Sequence, residues 1–214
     1  MAENDIENKT KDLTYTLNKI QNNVFHIKTK NQLSDSIINF FTMAIGFFMF
    51  GCINADIIFS NETKYLIYGA IIISSVTQII LGIYEWYKGK SLYILVNFSF
   101  GLLFISWFLK YNLMDNNEVE KNKKYEGAFY IIWLLLSISI TIAGKNKGII
   151  YLLDYAIVAV AFVFLFIDRY INKNWIKKTY GYIFIVSGGL FWITGLLRLI
   201  NSSFLNNSMG IVRE

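Results

Sequence analysis

The 214-residue sequence has no proline, one cysteine and one histidine, and only 16% of it is charged. Each scarcity excludes something. Cys52 has no second cysteine with which to close an internal disulfide. His26, without cysteine partners, cannot build a protein zinc site. No Gly-rich phosphate loop, HExxH, GxSxG or metal-spaced Cys/His set occurs, so neither a cofactor nor a metal is expected. The acids inside apolar runs are Glu85 and Asp154, both near the ends of those runs, so a paired-carboxylate enzyme is not expected either. The first 35 residues lack an apolar core of 7–15 residues, which argues against a cleavable secretory signal. Glu3, Asp5, Glu7 and Asp12 argue against a mitochondrial transit peptide. The missing proline, beside abundant Asn, Lys, Ile and Tyr, fits drift in an A/T-rich genome, so residue frequency carries little functional weight.

What is there points to a membrane. Apolar residues make up 55% of the chain and aromatic ones 17%, whereas soluble domains carry about 25% charged residues. The net charge of +5 sits in tails and loops, where anionic headgroups account for it and no nucleic acid is needed. The expected fold is all-α, a polytopic bundle of six transmembrane helices preceded by an amphipathic N-terminal helix. The spans are placed at 36–54, 65–87, 92–109, 127–144, 148–167 and 180–200, each near the 20 or so residues that cross a bilayer. This divides the chain into a polar tail (1–35), a transmembrane domain (36–200) and a C-terminal tail (201–214). In the tail, Leu13, Leu17, Ile20, Val24 and Ile27 form one apolar stripe at spacings of four and three, predicting a helix on the membrane surface or a neighbouring subunit. Ser34, Asp35 or Ser36 can cap the first span. The 20 Lys and Arg residues divide almost evenly between the two sides, so they do not set orientation.

The second span carries the most informative pattern. Ser75, Gln78, Gly82 and Glu85 recur at steps of three, four and three, and so share one face. Such a stripe is costly against lipid. It is read either as helix–helix glue or as the lining of a solute passage. Asn97 and Ser99 on span three, and Ser137, Ser139 and Thr141 on span four, add neutral polar groups at depth, with Phe98, Phe100 and Phe104 among them. No Lys or Arg lies near the centre of a span. A lining of dipoles and aromatic edges suits small solutes, or weak acids crossing as neutral molecules. Lys110 is placed to snorkel outward, and Asp154 lies near enough its span end to stay hydrated.

Residues Ser74 to Ser91 resemble the GGxAQxxAGxxEYxxGNT stretch of the acetate uptake transporters, the succinate–acetate permease group that includes fungal proteins linked to ammonia export. Asn97 to Gly101 then sits at that family's FxSYG motif, and Lys147-Gly148 and Ser187 to Gly189 agree. The resemblance covers residues 36–200. It implies a subunit assembled as a homo-hexamer, with a pathway through each protomer for acetate or related short carboxylates, coupled or not to protons; the plasma membrane is expected in preference to an organelle membrane. It also implies an aromatic constriction. Phe100 takes the motif's tyrosine position without the hydroxyl, Ala159 the place of a fifth-span leucine, and Phe41, or else Phe40 or Phe47, that of a first-span phenylalanine. Gln78, Asn97, Ser99 and Ser75 would line the pathway, with Glu85 anchoring the end of span two or drawing protons there. Phe100→Ala would alter selectivity with little loss of folded protein. The family's NPAP signature at the start of span one is replaced by Ser34 to Asn39. That departure leaves two rivals: a channel for ammonia or a small amide, and a non-transporting scaffold.

Overall fold

The structure, a computed structural model, describes residues 14–20, 37–57, 61–113 and 123–210, which hold seven α-helices and no strand. These are α1 (14–20), α2 (Ile37–Asn54), α3 (Asn61–Tyr87), α4 (Ser91–Leu113), α5 (Lys123–Ala143), α6 (Ile149–Ile171) and α7 (Asn174–Gly210). A single 3-10 turn, Lys145–Lys147, links α5 to α6. Helices α2 to α7 each contain a window long and apolar enough to cross a bilayer. The fold is therefore the expected all-α, six-span one, and the chain is a multi-pass membrane protein. In α1, Tyr15, Leu17 and Ile20 are exposed. The rest of the predicted stripe (Leu13, Val24, Ile27), His26, the capping candidates Ser34, Asp35 and Ser36, and residues 115–122 lie outside the described residues.

Two helix ends are fixed by local chemistry. At the end of α3, Lys90 N–H donates to Glu85 O (3.1 Å) and Gly89 N–H to Trp86 O (2.9 Å), with Gly89 at φ +66°. This paired closure requires a left-handed residue, which glycine supplies without a Cβ penalty, and it turns the chain directly into α4. At the end of α2 the same closure is made by Ile57 N–H to Cys52 O (3.2 Å) and Asp56 N–H to Ile53 O (3.4 Å), Asp56 standing at φ +55°. Its carboxylate meets Lys177 at 3.2 Å.

Two compact units divide the chain: Ile38–Leu197, and Met1–Ile37 with Arg198–Glu214. Within the first, α3 packs on α4 and α5 on α6. Small residues bring backbones together. A Cβ on Gly51 would stand 2.6 Å from Gly181 O, and one on Gly188 2.8 Å from Ala44 O, so α2 and α7 touch backbone to backbone. Between α3 and α4, Ser75 Oγ donates to Gly101 O at 2.6 Å, and a Cβ on Gly101 would stand 3.3 Å from Ser75 O.

The interior is layered. Along α4 the buried face reads Asn97, Phe100, Phe104, Trp107; along α5 it reads Tyr130, Trp133, Ser137, Ile140; along α7, Tyr180, Phe184, Ser187, Phe191, Thr194. The steps of three and four keep each series on one helical face. Because successive spans run in opposite directions, the buried polar residues Asn39, Gln78, Asn97, Ser137, Asp154 and Thr194 all fall toward the bundle end that holds the α3–α4 turn. Asn54 and Asp168 fall toward the other end. Between them lies an apolar, strongly aromatic layer.

Candidate functional site

Phe47 of α2 centres the aromatic layer. Its ring meets Phe100 at 5.4 Å and Phe104 at 5.3 Å between centroids, edge to face, and stacks on Phe184 at 5.5 Å and Phe191 at 5.6 Å. Phe100 also approaches Trp133 (6.2 Å) and Tyr155 (6.0 Å), so rings from five helices converge there. Gly46 makes room for this, since a Cβ there would run into the ring of Phe104. Phe47 and Phe100 have 0% of their surface exposed, so the layer is closely packed.

Of the residues that the resemblance implies for a constriction, Phe100 lies in this layer. Phe41 does not lie beside Phe100; its ring packs against half-exposed Trp192 at 4.8 Å. The first-span ring that meets Phe100 is that of Phe47, one helical face away from Phe41, while Phe40 meets Phe191 at 5.9 Å. On α6 the ring facing Phe100 is that of Tyr155, one turn before Ala159, which is itself buried.

Beside this layer, on the side of the α3–α4 turn, Gln78 is wholly buried. Its Nε2 donates to the backbone carbonyl of Asn39 (3.1 Å) and to Thr42 Oγ1 (2.5 Å). A backbone carbonyl can only accept, which fixes the amide's orientation and leaves Oε1 as the free atom. Gln78 Oε1, Asn39 Oδ1 and Asn97 Oδ1 are all buried and without a partner among the described residues. Gln78 Cβ would be 3.3 Å from a Cβ on Gly101, which itself lies one turn beyond Asn97, so these amides occupy one neighbourhood. Buried acceptors without donors are costly, about 1–3 kcal/mol each, and so call for a partner.

The other sequence candidates divide. Ser75 spends its hydroxyl on Gly101 O and acts as helix glue, while Ser99 is only half-buried, off the face of Asn97 and Phe100. On α5, Ser137 is buried, but Ser139 faces outward and bonds back to Leu135 O. Glu85 is buried at the end of α3 with Lys90 at 3.3 Å. Two expectations are overturned. Asp154 has 0% exposure and accepts from Thr194 Oγ1 at 2.9 Å, so it is not hydrated. Lys110 does not snorkel outward but turns to Glu126 at 2.7 Å.

Sequence reasoning named Phe47 only as one of three first-span candidates, and missed the Asn39–Thr42–Gln78 link and the polar end around Asn54. There Tyr111 and Tyr180, from α4 and α7, both donate to Asn54 Oδ1 at 3.1 Å. The signal was present: Asn97, Phe100, Phe104, Trp107 and Tyr111 keep strict three–four spacing, a polar residue at each end of an aromatic stripe.

The profile of the GPR1/FUN34/yaaH family matches residues 17–210. No curated protein matches significantly. Among solved structures, the fold is similar to that of the bacterial acetate channel SatP, at 15% identity and a TM-score of 0.70, over 79% of this chain and 93% of that one. At that identity the likeness is one of fold.

Proposed function

The chain belongs to the GPR1/FUN34/yaaH family, and from that premise we propose that it passes acetate and related short monocarboxylates across a membrane, as a channel or transporter. Its likeness in fold to an acetate channel supports the reading. The observation that carries it is the trio of buried, donor-less oxygens on Asn39, Gln78 and Asn97 beside an aromatic layer. A carboxylate anion would meet like partial charge at these oxygens. The neutral acid brings an O–H that one of them can accept, and its short alkyl part suits the rings of Phe47 and Phe100. Passage requires those rings to part, and Gly46 leaves the Phe104 ring a backbone surface to move against. Crossing as the neutral acid moves one proton with each carboxylate, so coupling needs no titratable group at the layer. Glu85 with Lys90 fastens the end of α3. Ser75 and Ser99 flank the route without supplying its contacts. The protein acts in the plasma membrane as a homo-oligomer, a hexamer by the family resemblance, and carries out no catalytic step.

A second reading has the same support. The N–H groups of ammonia or a small amide would satisfy the same acceptors. Labelled-acetate uptake into proteoliposomes under an imposed pH gradient separates the two. Uptake that rises as the outside is acidified, and falls with added propionate but not formamide, is the outcome expected. Flux indifferent to the gradient and uncompeted by acids would favour the neutral solute.

A further inference from the structure

Hydroxyls on these spans mostly bond back to their own helix. Thr42, Thr77, Ser106, Ser139 and Thr141 each donate to the carbonyl four residues earlier, at 2.8–3.0 Å. Ser187 on α7 does not: its side chain is wholly buried, and Oγ has no partner among the described residues. On α5 the indole Nε1 of Trp133 is likewise buried and without an acceptor among them. Both groups stand in the aromatic layer. Ser187 lies one turn from Phe184 and one turn from Phe191 on the same face, and both of those rings stack on Phe47. The Trp133 ring meets Phe100 at 6.2 Å, and Phe100 meets Phe47 at 5.4 Å. The two groups therefore stand at opposite ends of one series of ring contacts, with Phe100 and Phe47 between them.

These atoms differ in kind from those at the polar end. Gln78 Oε1 can only accept, whereas an indole N–H can only donate and a serine hydroxyl does either. A buried donor without an acceptor costs about 1–3 kcal/mol, so a side chain that only filled the core here would be better apolar. We infer that Trp133 Nε1 and Ser187 Oγ are solute contacts within the aromatic layer, donating to the carbonyl oxygen of a carboxylic acid as it leaves the acceptors around Gln78. The inference rests on the monocarboxylate reading above and narrows it. Acceptors alone would serve an acid, an amide or ammonia equally; a donor pair at the rings selects a solute that carries an oxygen acceptor, and ammonium offers none. The acid also keeps a hydrogen bond while it is among the rings, which offsets part of the cost of taking a polar group through them.

Two substitutions test the pair. Ser187→Ala deletes only the unpartnered oxygen, so the folded protein is expected to be at least as heat-stable as wild type. Trp133→Phe removes the N–H and keeps a ring. Labelled-acetate uptake into proteoliposomes under an inward acid gradient is expected to fall about tenfold in each, the worth of one hydrogen bond to the crossing solute. Wild-type uptake in either folded variant would overturn the site. If Trp133→Phe does not fold, Ser187→Ala decides alone. A binding measurement keeps this site apart from transport itself. In isotope-labelled full-length wild type in nanodiscs, the indole N–H resonance of Trp133 is expected to move with sodium acetate at mildly acidic pH, and to stay in place with ammonium chloride at equal ionic strength. Movement without flux sinks the transport reading and keeps the site. Flux without movement, or equal movement with both salts, sinks the site only.

Discussion

Gln78 occupies a position where an amide is costly unless it is used. Its Nε2 is committed to Asn39 O and Thr42 Oγ1, and its Oε1 faces no donor. Leucine has nearly the same volume and no polar atom. Gln78→Leu is therefore expected to fold, since both the unfilled acceptor and its two donor bonds disappear together. Acetate flux through it is expected to fall about tenfold, the worth of one hydrogen bond to the crossing solute. Wild-type flux in this variant would make the amide structural. Phe100 carries a different risk. Enclosed by Phe47, Trp133 and Tyr155 with no exposed surface, its ring cannot be removed silently, contrary to what the sequence suggested. Phe100→Ala should cost about 3–5 kcal/mol through the cavity it leaves. A lowered unfolding temperature accompanying any change in selectivity is the expected readout; an unshifted one would mean the neighbouring rings collapse into the gap.

The helices themselves were the most legible level, because apolar runs of bilayer length and the Gly89 turn are local signals. Boundaries drifted where a charge found a partner out of sequence. Helix α5 begins at Lys123 rather than 127 and includes Glu126, stabilised by Lys110 and Arg169 from other spans. The face of Gln78 was read correctly as a polar stripe, but whether Ser75 served contact or passage depended on Gly101 of the next helix, which spacing alone does not reveal. Spacing alone left Phe40, Phe41 and Phe47 undecided for a similar reason. Only the partner helix α7, pressed close by Gly51, Gly181 and Gly188, fixes which face of α2 turns inward. That contact gives an element-scale prediction. Gly51→Ala places a methyl against Gly181 O and Ile185 N, and should destabilise by about 1–3 kcal/mol through overpacking. Gly69→Ala on α3 meets nothing within 4 Å and should be neutral or gain up to about 1 kcal/mol from helix propensity. Unfolding temperatures of the two variants check the pair. Equal shifts would mean that α2 and α7 are not in backbone contact.

Across the bundle, a packed aromatic layer separates polar residues near one end from polar residues near the other, and each span that contributes does so with one three–four stripe. On the proposed reading this layer is the barrier to passage, with hydrogen-bonding groups on either side of it, and Phe47, where rings of α2, α4 and α7 meet, is where passage would be controlled. The most direct measurement is the uptake of a series of labelled monocarboxylates of increasing chain length into proteoliposomes, with wild type beside Phe47→Leu, which keeps an apolar side chain but removes the ring. Wild type is expected to carry acetate and to discriminate against longer acids, and Phe47→Leu to admit the longer ones. Folded wild-type protein that moves no member of the series above empty liposomes, or a Phe47→Leu profile identical to that of wild type, would contradict the account.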